Sequence, residues 1–206
     1  GLLIKFAMPN KSYLRKHYRS LRQNLPIEVR VSHTQNITDQ IKNLDTKSDW
    51  KNITGFASQD GEPDLSELLD YLKEKGTRVL LPRINNQNQM NFHTYEAKPE
   101  LEPGPYGIRQ PHRRSEKVPK EKIDCFLIPL VSFDDSGNRL GMGGGYYDKY
   151  FSTYISKIQS PLFGVAFSVQ MSNKVLPIDD FDISLDGVIT ETGITTFTDI
   201  GQKYAS

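Results

Sequence analysis

The sequence predicts an α/β fold, a mostly parallel sheet flanked by helices on both faces in a Rossmann-like three-layer single domain over residues 1–206. Short apolar runs alternate with amphipathic helical patterns along the chain, the order that builds parallel sheets. A glycine-rich stretch, residues 138–148, lies between an apolar strand and a helical pattern, where such sheets hold ligands. The 206 residues are enough to bury a two- or three-layer core.

Each element has its own signal. Lys11 to Leu25 reads as an amphipathic helix, with Leu14, Tyr18, Leu21 and Leu25 on one stripe and Lys11, Arg15, Arg19 and Arg22 on another. Pro26 is placed to open a second helix reaching about Leu44. Ile53 to Ala57 is a short strand, and Ser58 to Asp64 a polar loop. Leu65, Leu68, Leu69 and Leu72 mark a helix stopped by Gly76. Arg78 to Leu81 is a strand ended by Pro82, and Met90 to Tyr95 alternates weakly as another. Lys98 to Lys122, rich in Pro, Gly and charge, reads as a long loop. Cys125 to Val131 is a buried strand. After the glycine stretch, Tyr147, Tyr150, Phe151, Tyr154, Ile155 and Ile158 recur at helical spacing. Leu162 to Phe167 and Gly187 to Thr190 complete the strands.

Composition narrows the partners. Lys plus Arg number 26 and Asp plus Glu 25, for a net charge of +1, which argues against a nucleic-acid or polyanionic-surface partner. Cys125 is the single cysteine and lies in an apolar run, which fits a reducing, cytoplasmic home. Leu2-Leu3-Ile4 is far too short for a signal peptide or a membrane span. Residues 1–9 read as a flexible or engineered N-terminal extension. No Cys/His cluster has zinc spacing. A monomer acting on small molecules is expected.

Asn138-Arg139-Leu140-Gly141-Met142-Gly143-Gly144-Gly145-Tyr146-Tyr147-Asp148 carries the chemistry. Glycines admit positive φ and close backbone approach. The free N–H groups of a following helix attract anions, with phosphate the leading candidate. Arg139 sets a fixed charge beside it. The stretch matches neither G-x-x-x-x-G-K-[ST] nor G-x-G-x-x-G, because Tyr146 stands where the third glycine would be, so a plain flexible turn is the competing reading. Ligand sites are expected in the loops after Ala57, Val131 and Phe167, which carry Glu62, Arg139 to Asp148, and Asp179, Asp180 and Asp182.

With these pieces in place the chain resembles the 5-formyltetrahydrofolate cyclo-ligase family. Its N-terminal K-x-x-L-R stands as Lys11-Ser12-Tyr13-Leu14-Arg15, and its acidic loop as Asp60-Gly61-Glu62-Pro63-Asp64-Leu65. Its aromatic-x-Ile turn stands as Tyr106-Gly107-Ile108, its G-N-R-L-G-x-G-x-G-Y-Y-D hallmark as Gly137 to Asp148, and its late aspartate as Asp182. The hallmark is specific; the other patterns are weak alone but fall in the right order. The resemblance implies an enzyme that uses ATP and Mg2+ to close 5-formyltetrahydrofolate into 5,10-methenyltetrahydrofolate, releasing ADP and phosphate through a phosphorylated formyl intermediate. Phosphoryl transfer needs mainly positioning and charge neutralisation.

The same resemblance assigns roles. Arg139 and Lys11 are the catalytic cations. ATP is held by Lys11, Ser12, Tyr13, Leu14, Arg15, Arg139, Leu140, Gly141, Met142, Gly143, Gly144, Gly145, Tyr146 and Tyr147. Folate is met by Arg15, Ala57, Glu62, Tyr106 and the loop from Met142 to Tyr146, and Mg2+ by Asp148 and Asp182. Each residue also has a plainer reading. Lys11 and Arg15 fit a solvated basic face, and Tyr147 fits core packing. Asp148 and Glu62 fit helix-dipole compensation, and Asp182 an ordinary turn. Two rival functions remain at this level: a sugar-phosphate isomerase or acyl-transferase, which would not need ATP, and a nucleotide-binding regulatory module without turnover.

Overall fold

The protein is described here from a computed structural model covering residues 10–152 and 158–206. The expectations for residues 1–9, and for Tyr154 and Ile155, lie outside the described residues.

Helix α1 (Lys11–Gln23) starts where Asn10 accepts the Tyr13 N–H at 2.8 Å, satisfying one of the helix's orphan donors. Helix α2 (Ile27–Ser48) begins just after Pro26 and runs a turn beyond Leu44, ending on a left-handed Asp49. Its inner stripe, Ile37, Ile41 and Leu44, is buried. Strand β1 (Asn52–Thr54) is shorter than expected, and helix α3 (Ser66–Glu74) follows.

Pro82 does not end the next strand: β2 runs Arg78–Ile84. Leu80 accepts from Gly55 N at 2.8 Å, so even-numbered residues of β2 point toward β1. Thr54 pairs with Leu80, so β1 has already ended where residue 82 would have to donate an N–H to it. Strand β3 (Met90–Thr94) returns antiparallel to β2. The segment 98–122 is not a plain loop. It holds β4 (Glu102–Pro103) paired with β5 (Arg109–Gln110), and then β6 (Lys117–Val118), which pairs with β3.

Strand β7 (Cys125–Pro129) leads into a small hairpin, β8 (Ser132–Phe133) with β9 (Arg139–Leu140). Arg139 therefore sits in a strand rather than in the loop. Helix α4 (Tyr146–Ser152), β10 (Leu162–Val165) and β11 (Gly187–Thr190) come next. The chain closes with β12 (Gly193–Thr196) and α5 (Asp199–Ala205), both unforeseen.

The main sheet has the order β12-β11-β10-β7-β1-β2-β3-β6. Its five central strands are parallel, and β12, β3 and β6 are antiparallel additions. One face packs Ile37, Leu68, Leu72 and Trp50 over Val79 and Leu127. The other packs the α4 aromatics Tyr150 and Phe151 over Phe92 and Phe126, with Phe126 and Phe151 edge-on at 4.9 Å. Among the described residues no helix is long and apolar enough to cross a membrane.

The connections set the position of the site. From β1 the chain builds outward through β2, and from β7 it builds the opposite way through β10. The strand order thus reverses between β1 and β7, and a crevice opens beyond their carboxyl ends.

Candidate active site

A cavity of about 370 Å³ occupies that crevice. Phe56 and Ala57 line it just past β1, and Pro129 and Leu130 at the end of β7. Gly141 to Asp148 form one wall, while Lys11 and Arg15 of α1 face it. Glu62, Asp179 and Asp182 complete its charged lining. The three loops expected to converge from topology do converge.

Arg139 is held from below. Its Nε and Nη2 donate to the Pro129 carbonyl at 3.0 and 2.9 Å, and its guanidinium lies 5.1 Å from the Tyr147 ring centre. Burial pushes its pKa down against the pull of Asp148, Tyr147, Glu62 and Asp182, yet a guanidinium stays charged. A fixed cation at the end of β7 is the result. The loop beyond it stays thin for a reason. A side chain at Gly141 would meet the Arg139 guanidinium at 3.1 Å. Gly143 has φ +107, and its missing Cβ would lie 3.4 Å from Arg15 Cζ. Arg15 itself donates from Nε to the Gly141 carbonyl at 2.7 Å, pinning the loop to α1.

Lys11 bridges two carboxylates, Asp182 at 2.7 Å and Asp179 at 2.8 Å. Burial works against its charge, but these two partners outweigh it and raise its pKa. Burial likewise works to raise Asp182, while Lys11 and the Asp179 N–H hold it below its ordinary value. Asp148 accepts the Ile183 N–H through Oδ1 at 2.9 Å. That contact places the first turn of α4 against the 179–183 loop, and Asp148 and Asp182 both line the cavity.

Glu62 also lines the cavity. Its Oε1 accepts the Gln59 N–H at 3.0 Å. Burial raises its pKa to about 7, against opposing effects from Arg22, the Gln59 N–H and Arg139. The loop that carries it is fixed by Asp60, which accepts from Arg19, Arg22 and Gln23. Arg22 is 1% exposed and also donates to the Asp60 and Leu130 carbonyls, tying α1, the acidic loop and the end of β7 together.

Not every expected residue lines the cavity. Ser12, Tyr13 and Leu14 do not; Tyr13 is exposed and stacks on His17. Tyr106 is also exposed, outside the lining, with its ring 6.5 Å from that of Tyr146. Its neighbours Pro105 and Ile108 do line the wall. Of the three late aspartates, Asp179 and Asp182 reach the cavity and Asp180 does not. Tyr147 combines two roles. It packs 6.3 Å from Phe92, and its buried hydroxyl has no hydrogen-bond partner among the described residues although the residue lines the cavity.

Sequence reasoning missed Met90, Gln110 and Phe181 in the lining, and the Arg22–Asp60 anchor beneath it. Phe181 adjoins Asp182, the one cue that was available. Gln110 reaches the site through the β4–β5 pairing and its side-chain bonds to the Ile84 N–H and carbonyl, neither of which has a periodic signal.

Comparison with known proteins decides the family. The 5-formyltetrahydrofolate cyclo-ligase family model matches residues 7–191. The chain belongs to that family. It is 30% identical over 182 residues to the 5-formyltetrahydrofolate cyclo-ligase of Haemophilus influenzae, covering 87% of this chain and 96% of the relative. It is 34% identical over 145 residues to that of Escherichia coli K12, covering 69% and 79%. Among solved structures, the 5,10-methenyltetrahydrofolate synthetase of Aquifex aeolicus superposes with a TM-score of 0.78 at 31% identity, covering 92% of this chain and 93% of that one. The cyclo-ligase family match also spans β1 through β11 and so includes every charged cavity residue named above.

Proposed function

We propose that the protein closes 5-formyltetrahydrofolate to 5,10-methenyltetrahydrofolate at the expense of ATP. One observation carries this reading. A glycine loop with a buried arginine, a lysine–aspartate cluster and a carboxyl that burial pushes up to about 7 line a single cavity. The first group suits a triphosphate and the last suits the amino and ring N–H edge of a pterin.

The chemistry follows. The formyl oxygen attacks the γ-phosphorus and ADP leaves, which turns a poor leaving oxygen into a phosphate. The second folate nitrogen, N10, then attacks the activated carbon, the carbon–oxygen bond breaks, and the N10 proton leaves with the phosphate. Arg139 is placed to balance charge on the moving phosphoryl group, and its two bonds to Pro129 hold it there without reorganisation. Lys11 serves the same end from α1 once it turns from Asp179 and Asp182 toward phosphate. Arg15 braces the loop through Gly141. Glu62 orients the pterin.

The residues fit Mg2+. Asp148 and Asp182 each use only one carboxylate oxygen in the contacts given above, leaving the other oxygen of each for a cation. Mg2+ takes one or two carboxylates and draws its remaining ligands from phosphates and water. When bound, the ion neutralises phosphate charge. We read the protein as cytoplasmic, a reading supported by its single, buried and unpaired Cys125.

The test is near-ultraviolet absorbance of the methenyl product in a mixture of protein, 5-formyltetrahydrofolate, ATP and Mg2+. Absorbance that grows only with all components present is expected. No product at saturating substrate would refute the reading.

A further inference from the structure

A second cavity, of about 460 Å³, adjoins the first. The two share Phe56, Ala57, Gln59, Glu62 and Ile108, so the Glu62 carboxyl lies at their junction. Its walls are of two kinds. Phe56, Tyr95 and Leu101 give it an apolar side. Arg30, Lys98 and Arg109 give it three cations, none of which forms an ion pair with a carboxylate among the described residues. Arg30 spends its Nη2 on the Arg22 and Gln23 carbonyls, while its Nε is buried with no hydrogen-bond partner. Arg109 donates to the Leu101 carbonyl. The carboxylates nearby are already engaged: Asp60 with Arg19 and Arg22, and Asp64 with the Ser66 N–H and hydroxyl.

Unpaired cations around an apolar slot attract a ligand with a flat or aliphatic body and a carboxylate end. None of the three lines the first cavity. We propose that this second cavity is the subsite for the carboxylate-bearing aminobenzoyl-glutamyl end of the substrate, entered past Glu62 and closed by Arg30, Lys98 and Arg109. The inference rests on the folate reading above and deepens it. The pterin then occupies the first cavity at Glu62, the aryl ring passes Phe56 and Ile108, and the glutamyl carboxylates meet the cations.

The test compares 5-formyltetrahydrofolate with 5-formyltetrahydropteroate, which lacks the glutamyl group, on the parent protein and on Lys98→Ala/Arg109→Ala. Arg30→Lys is added because Arg30 also braces the end of α1, and lysine keeps the charge without the Nε donor. Binding is read by calorimetry and turnover by product absorbance. The parent should bind the glutamyl substrate at least about ten-fold more tightly than the truncated one, and the double variant should remove most of that preference without altering the KM for ATP. Added salt should weaken the parent's preference and leave the variant's unchanged. Equal preference in parent and double variant would overturn the subsite. Tight binding of both folates without product would overturn the proposed reaction instead, while the tail comparison would still decide the subsite.

Discussion

Replacing Glu62 with Gln should separate what its carboxyl does for the fold from what it does for the substrate. Burial holds this carboxyl at a pKa of about 7 against an ordinary 4.5. Its folded pKa is raised, so the native state binds the proton more tightly than the unfolded chain. Stability from this group is therefore full below about pH 4.5 and falls as pH rises toward 7. One pKa unit corresponds to about 1.4 kcal/mol, so ionised Glu62 destabilises the protein by at most about 3 kcal/mol, less where water enters the cavity. Gln resembles the protonated carboxyl and can still accept the Gln59 N–H. Thermal unfolding should show Glu62→Gln nearly equal to the parent at about pH 4 and more stable by about 2–3 kcal/mol at about pH 8. Folate affinity should move the other way at about pH 8, weakening by about ten- to a hundred-fold, because a charge-assisted hydrogen bond is worth about 1.5–3 kcal/mol. A stability difference that does not change with pH, or unweakened folate binding, would refute the reasoning.

Three further substitutions probe the phosphate end. Arg139→Ala should lower turnover by about 10²–10³ with little change in folate Kd, since one preorganised stabiliser of a developing charge is lost; near-normal kcat would remove it from the mechanism. Gly143→Val should abolish ATP binding in calorimetry while circular dichroism stays unchanged, because φ +107 is strained for a β-branched residue and the added side chain stands where the loop backbone would approach phosphate. Asp148→Asn keeps an acceptor for the Ile183 N–H, so its melting temperature should hold while the Mg2+ concentration for half-maximal activity rises. A lowered melting temperature with an unchanged Mg2+ requirement would make Asp148 structural.

The parts of the site that the sequence disclosed were those carried by local pattern. The strand–glycine–helix order marked Arg139 to Asp148, and alternation of strands and helices placed the loops after Ala57 and Phe167 at one end of the sheet. What stayed hidden depended on non-local pairing. Nothing near Arg22 signals that it bonds the Asp60 and Leu130 carbonyls, one of them 108 residues away. The β4 and β5 strands are two residues each, too short for alternation to register, yet they bring Gln110 and Ile108 to the cavity. Pro82 misled for a similar reason. It would end a strand paired on both sides, but only the register with β1 shows that its missing N–H faces no partner. Lys11 was legible as a cation, whereas its pairing with Asp179 and Asp182 required the fold.

The central claim is that one cavity transfers a phosphoryl group from ATP to the formyl oxygen before the ring closes. It is tested most directly with 5-formyltetrahydrofolate carrying a heavy oxygen isotope in the formyl group. A single turnover with ATP and Mg2+, followed by mass spectrometry of the released phosphate, should find the label in phosphate, one atom for each methenyl product formed. Unlabelled phosphate, with the heavy oxygen recovered in water, would contradict the account.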